Sequence, residues 1–430
     1  MVASLRSTWA LFLGVALIMV ASGLQGTLLG VRAAQEAFPT AVTGLIMSAY
    51  FGGFLVGSLL VPRMVEQVGH VRVFAALASL ASVAVLIHAA VVEPWTWFAM
   101  RLLTGFASAG LYVVAESWLN DRATNESRGQ VLAVYMIIVL AGIGCGQLLL
   151  NVADPQGYIP FIICSVLVSL GLVPLLLSAS PAPEFSAPER IGLKKLYRLS
   201  PLAVVACVGI GVLQSTTWGL SAVYAQAAGY SIAETTIYAG AIFLGGMLFQ
   251  WPLGRLSDRL DRRSVLTAVI LGASAAAIFG TLFGPLPFWS DFWVLFLVGG
   301  LLMPSYSIVV AYLNDWLEPS QIVAASAGLY FVYGLGASLG PFAASAVMSV
   351  MGPQGYYASL AVVGSVVGLF ALYRMTRRSS APIEEQGSSL ALPGPASPVA
   401  TELAAEIWQE EAESEEDTQP ATSGGAESRP

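Results

Sequence analysis

The sequence predicts an all-α integral membrane protein with twelve transmembrane helices in two pseudo-symmetric six-helix bundles. Three observations predict it. The first is composition: 56% of residues are hydrophobic, 10% are charged, and mean hydropathy is +0.74. Soluble domains carry about 25% charged residues, so this chain lacks the charge to cover itself in water. The second is a series of apolar runs, each near the ~20 residues that carry a helix across ~30 Å of hydrocarbon. The third is an internal repeat at an offset of 193 or 194 residues.

The first run, 9–30, follows Arg6. It is longer than a signal-peptide core and many spans follow it, so it reads as an uncleaved helix. Runs at 41–61, 71–92, 95–118, 130–152 and 158–178 complete a first half, residues 1–179. Residues 180–199 hold Pro181, Pro183 and Pro188 and then Arg190, Lys194, Lys195 and Arg198. That is a polar connector, with a short surface helix expected at its end. Runs at 201–227, 232–253, 264–283, 292–316, 322–350 and 356–374 form a second half, 200–378. Residues 379–430 are rich in Pro, Ser, Gly and Glu and lack sustained apolar periodicity, as in a disordered tail.

Charge is unevenly spread. Past Ser379 stand eleven acidic residues and one basic one, Arg429; before it stand eighteen basic and fifteen acidic residues. The net charge of −7 therefore belongs to the tail. With both termini in the cytoplasm, seventeen of the nineteen Lys and Arg residues fall in cytoplasmic loops, the connector or the ends. Arg32 and Arg101 are the exceptions. Cys145, Cys164 and Cys207 lie in apolar runs at spacings that fit neither a metal site nor a disulfide framework, and His70 and His88 are too far apart to suggest a metal. No metal and no cofactor is expected.

The repeat is carried by particular strings. Leu119-Asn120-Asp121 recurs as Leu313-Asn314-Asp315, Gly142 and Gly146 as Gly336 and Gly340, and Gly52-Gly53 as Gly245-Gly246. Gln25 and Gln214 each follow a leucine in corresponding runs 1 and 7. Parallel repeats of six helices are one of the designs of secondary transporters.

Between runs 8 and 9 the chain reads Gly254-x-x-x-Asp258-Arg259-x-x-Arg262-Arg263, with Arg255 beside the glycine. This spacing resembles the signature loop of the major facilitator superfamily. The resemblance spans about 9–374. Further strings are similar to its poorly characterised bacterial YcaD-like branch: Tyr50-Phe51-x-Gly53, Val114-Ala-Glu116-Ser, Gly146-Gln147-Leu-Leu and Gln250-Trp-Pro-x-Gly-Arg255. It implies a bacterial inner-membrane protein. It also implies that Gly254 permits close helix approach and that Asp258 latches onto the start of span 5, near Arg128-Gly129-Gln130. Arg259, Arg262 and Arg263 then pair with carboxylates or lipid phosphates, and Arg255 belongs to the same cytoplasmic gating loop. The alternative is that these charges only anchor the turn in the cytoplasm. The first-half copy has Val61 and Val65 in place of Gly254 and Asp258.

Arg101-x-x-x-Gly105-x-x-x-x-Gly110 resembles the family motif of span 4, whose arginine is tied to proton coupling. A charge at mid-membrane costs ~2.5–3.5 kcal/mol on insertion scales, so it faces a cavity, meets a partner or snorkels outward. Glu116, fifteen residues on, is ~22 Å away along the helix, too far to pair with Arg101. It is either a protonation site or a partner for Arg122 or Arg128. Span 5 places Gln147 where the drug-antiporter motif has proline. Gln25, Gln147, Gln214, Trp218, Tyr306 and Tyr330 are candidates to line a cavity, and each equally suits interhelical bonding or packing.

The function this implies is secondary active transport of a small solute by alternating access, coupled to protons, with export as the first expectation. No nucleotide-binding loop is present, and no acid–base, nucleophile or metal constellation suggests an enzyme. A monomer in contact with lipids, without nucleic-acid partners, is expected. The other class of reading is a non-transporting membrane scaffold or sensor that binds a partner through its acidic tail.

Overall fold

The computed structural model describes residues 2–122, 125–177, 192–317 and 319–377. The acidic tail and most of the connector lie outside the described residues. Those described are almost wholly helical, with no strand among them. The first half comprises α1 (Val2–Gln35), α2 (Thr40–Val68), α3 (His70–Ala90), α4 (Pro94–Arg122), α5 (Asn125–Leu148) and α6 (Ile159–Leu176). The expected short connector helix is α7 (Leu193–Leu199). The second half comprises α8 (Pro201–Ala227), α9 (Ile232–Arg259), α10 (Arg262–Phe283), α11 (Phe288–Leu302), α12 (Ser305–Asn314), α13 (Pro319–Met351) and α14 (Gly355–Met375).

Eleven segments are long and apolar enough to cross a membrane, and the last of them, Ala324–Met375, contains parts of both α13 and α14. Twelve spans result. Span 10 differs from the continuous helix expected at 292–316: it breaks between α11 and α12, at Met303 and Pro304. Proline lacks an N–H and its ring clashes with the preceding turn. The Leu302 carbonyl at the break is met by side chains, Ser305 Oγ at 2.5 Å and Gln214 Nε2 at 2.6 Å. In membrane, such a break persists only where the freed groups are satisfied inside the protein.

The two halves pack alike. In the first, α2 lies on α4, α1 on α5 and α6, and α3 on α4 and α6; in the second, α9 lies on α11, α8 on α13 and α14, and α10 on α11 and α14. Glycines set the closest crossings. A Cβ on Gly23 or Gly146 would overlap the Ile143 or Val20 carbonyl oxygen across the α1–α5 contact. Gly211 and Gly336 stand in the same relation to Tyr333 and Val208 across α8–α13. Without a hydrophobic driving force between helices in lipid, such backbone contact is a main source of adhesion. The lipid-facing rim carries exposed large apolar side chains such as Leu170, Leu248, Val362 and Leu369.

The halves meet through α1 and α2 on α8 and along two flanking seams. One joins α2 to α13. There the Phe342 N–H donates to Ser48 Oγ at 2.9 Å, and Phe54 and Tyr330 stand with ring centroids 6.1 Å apart. Pro341 precedes Phe342 within α13, and the bonding of Phe342 to the other half is local compensation for that helix interruption. The other seam joins α5 to α9. It is closed at the end away from the connector, where Asn151 Nδ2 donates to Thr236 Oγ1 at 2.8 Å. Towards the connector end the two helices separate.

Candidate functional site

A small cavity lies between the halves, nearer the end away from the connector. Ser22, Gln25 and Gly26 of α1, Met47, Tyr50 and Phe51 of α2, Arg101 of α4, and Trp218 and Gly219 of α8 line it. About 20 Å³ is open to the centre of a water-sized sphere, room for about one water. A second cavity of the same size adjoins it, walled by Tyr50, Phe51, Phe54 and Trp218 with Tyr330 and Tyr333 of α13. The shared wall is an aromatic cluster. Trp218 sits edge-on to Tyr50, Phe51 and Phe243, with centroids 6.0, 5.9 and 6.1 Å away.

The structure therefore brings Gln25, Arg101 and Trp218 together, and sets Tyr330 one layer further towards the connector end. Arg101 does not snorkel: it is buried and its guanidinium lies 4.5 Å from the Tyr50 ring centroid. A desolvated cation–π contact is worth about 2 kcal/mol, which offsets much of the insertion cost of the charge. Among the described residues no carboxylate pairs with Arg101, and its Nε has no hydrogen-bond partner. Gln25 is likewise buried, with Nε2 unpartnered. Two polar groups with bonding capacity thus converge on one small space.

Gln214 does not face that space. Its Nε2 holds the Leu302 carbonyl, and its Oε1 accepts from Tyr333 Oη at 3.0 Å. Tyr306 is fully buried against the Tyr333 ring at 5.2 Å, with its hydroxyl unpartnered. Gln147 is buried in α5 beside neither cavity, and its Oε1 has no partner. Glu116 is buried towards the connector end of α4, where Tyr135 Oη donates to its Oε1 at 2.8 Å. The expected partners Arg122 and Arg128 have side chains outside the described residues.

The charged turn is tighter than a loop. Gly254, Arg255, Asp258 and Arg259 belong to the last turns of α9, Arg262 and Arg263 open α10, and only Leu260 and Asp261 intervene. Asp261 caps α10, accepting from the Arg263 backbone N–H and from its guanidinium Nε, both at 3.2 Å. Arg262 is turned inward with its side chain 2% exposed, 3.1 Å from Asp315 and 3.6 Å from Asp258. A cation at a helix N-terminus opposes the dipole, and two carboxylates compensate it. Asp315, just past α12, has a carboxyl pKa raised to about 7; burial is the main cause, Asp258 and Asp261 add to it, and Arg262 opposes it. The expected latch point at the start of α5, Arg128 to Gln130, has side chains outside the described residues. In the first half, His70 Nε2 at the start of α3 lies 2.9 Å from Ser117 Oγ of α4, and Asp121, the counterpart of Asp315, has its side chain outside the described residues.

One buried carboxylate was not singled out from sequence. Asp291, in the first turn of α11, accepts from Tyr224, Tyr230 and Tyr357 hydroxyls at 2.7, 2.6 and 2.6 Å. Taking run 10 to begin at 292 left Asp291 in a loop. The adjacent Tyr356-Tyr357 pair was the available signal. The cluster ties α8, α11 and α14 together at the end away from the connector, within one half.

Comparison with known proteins gives the same picture. The family model described as Major Facilitator Superfamily matches residues 11–309 and 224–410. An uncharacterized MFS-type transporter YcaD of Escherichia fergusonii is 28% identical over 386 residues, covering 88% of this chain and 98% of the relative. An uncharacterized MFS-type transporter of Yersinia pestis is 30% identical over 351 residues, covering 80% and 89%. Among solved structures, the nucleoside transporter NupG superposes with a TM-score of 0.70 at 14% identity, over 86% of this chain and 98% of that one. A bacterial homolog of the human lysosomal transporter Spinster, inward-facing and unoccupied, gives 0.67 at 12% identity, over 95% and 98%. These last two speak to fold alone. The relatives are transporters and not enzymes, and this twelve-span chain belongs to the major facilitator superfamily.

Proposed function

We propose that the chain is a proton-coupled secondary transporter, working as a monomer, that exports a small amphipathic solute across the inner membrane by alternating access. The observation that carries this reading is the central cavity. Four helices from both halves wall it, and it holds a buried arginine about two turns into α4. A site shared by two rocking halves is what alternating access requires. Charges are kept inside a membrane bundle chiefly where they serve a pathway. Arg101 and Gln25 are then solute or coupling contacts, and Glu116, with Tyr135 as donor, is the carboxyl that exchanges the proton. With both termini and the connector placed in the cytoplasm, the open end of the α5–α9 seam faces the cell interior, which supports loading from that side.

The test uses proteoliposomes holding a trapped pH dye, challenged with a pool of amphipathic compounds and metabolites. The expected result is a compound-dependent pH change that disappears in Glu116→Gln and in Arg101→Ala while insertion is normal. Tracer flux of an active compound with no accompanying proton movement would remove the coupling. Absence of flux for the whole pool would count against transport by this chain.

A further inference from the structure

We propose that the slot between α5 and α9 is a lateral binding site for an anionic phospholipid-type amphiphile of the cytoplasmic leaflet, and its port to the central cavities; the cargo role rests on the transport reading above. The slot encloses about 610 Å³, within the range of cavities that hold small ligands. From α5 it is faced by Ala133, Met136, Ile137 and Leu140, which share one helical face. From α9 it is faced by Met247, Gln250, Trp251 and Arg255 at the matching spacing. Among the described residues the two helices are held together towards the far end, by the bond from Asn151, in the turn just past α5, to Thr236 and by Gly144 lying beside Phe243. They therefore diverge towards the cytoplasm.

The polarity of the slot is graded. The α5 wall is wholly apolar, while the cytoplasmic rim carries Arg255 with its guanidinium 5.2 Å from the Trp251 ring centroid. Both side chains are exposed, as is Arg259 one turn on. Asp258 at the same rim is ion-paired with Arg262, so the outward-facing charge of the rim is positive. An arginine fork matches a phosphate, and tryptophan belongs at the membrane–water boundary. Apolar chain above and anion below is the profile of an inner-leaflet lipid. The opposite seam is closed by direct contact: α2 and α13 are bonded through Ser48 and Phe342 and pack Leu55 against Gly334. The back wall is thin: Gln250 Nε2 meets buried Ser307 Oγ of α12 at 3.4 Å, a long bond that an entering head group can replace. Tyr306, next to Ser307, packs on Tyr333, which walls the second cavity.

The experiment reconstitutes the full chain with phosphatidylglycerol or phosphatidylcholine carrying a photoactivatable acyl chain and maps adducts by mass spectrometry. With phosphatidylglycerol, adducts at Met136, Ile137 and Met247 should exceed those at lipid-facing Val362 and Val366 of α14. Arg255→Gln should lower slot labelling by phosphatidylglycerol about fivefold, the value of one basic residue at an anionic surface, and leave phosphatidylcholine labelling unchanged. Ile137→Trp should fill the slot and lower both; Ile137→Ala controls for misfolding. Slot labelling equal to that of α14, or indifferent to Arg255, overturns the proposal. Solute counterflow by protein whose slot is unlabelled also overturns it and leaves transport standing. Slot labelling without any solute flux keeps the lipid site and removes the transport reading.

Discussion

Gln25 and Gln214 look equivalent in sequence and differ in what their amides touch. Gln214 spends its amide on the break in span 10, donating to Leu302 and accepting from Tyr333. Gln25 leaves Nε2 unpartnered beside Arg101. Replacing a bonded partner strands the group it served, at about 1–3 kcal/mol, whereas replacing an unbonded one strands nothing. Gln214→Leu should therefore lower the melting temperature of detergent-solubilised protein by several degrees, and Gln25→Leu should leave it unchanged or raise it. Equal melting shifts would mean that Gln25 has a bonded partner of its own. The leucine–glutamine string made the two residues look alike in runs 1 and 7. What set them apart was Pro304, visible in the sequence, which frees the Leu302 carbonyl for Gln214, 88 residues from it in the chain. Asp291 was missed for a related reason, since its three tyrosines come from segments remote in the chain.

At the scale of elements, the α9–α10 turn and the end of α12 form one charged unit, and the α2–α3 turn of the first half lacks the glycine and aspartate of that unit. Val61 and Val65 are buried where the second half has Gly254 and Asp258. The sequence showed the decayed copy and the repeated Leu-Asn-Asp string. It did not show that Arg262 would turn inward to join Asp258 to Asp315, because burial depends on how α10 seats against α12. The unit has a pH signature. An unfolded aspartate titrates near 3.9, and Asp315 in the folded chain near 7. Between those values the folded state binds the additional proton, so this group's contribution to stability falls as pH rises from about 4 to about 7 and is constant above. Asp315→Asn removes the titration. The melting temperature of the unaltered protein relative to Asp315→Asn should therefore fall between pH 5 and pH 8, by the equivalent of on the order of 2 kcal/mol. A flat difference over the same interval would mean that Arg262 outweighs burial and keeps the carboxylate ionised in both states.

At the scale of the whole molecule, twelve spans in two halves were legible because they follow from composition, run length and repeated strings. The inequality of the two seams was not, since it depends on contacts such as Asn151 with Thr236, 85 residues apart. That inequality gives the alternating-access reading a mechanical consequence. If the halves rock about the central cavity, the far end of the α5–α9 seam must part for solute to leave, and the Asn151–Thr236 contact must break in every cycle. A disulfide between Asn151→Cys and Thr236→Cys, made in a background lacking Cys145, Cys164 and Cys207, should stop flux when oxidised and restore it on reduction. A thiol reagent should still reach Ile137→Cys in the oxidised protein, because the connector end of the same seam is already open. Undiminished flux through the locked protein would mean that solute leaves without parting these helices, and rocking of the two halves would be the wrong description of how this bundle works. Lost flux that reduction fails to restore would point instead to damage by the substitutions, which the unoxidised double variant measures directly.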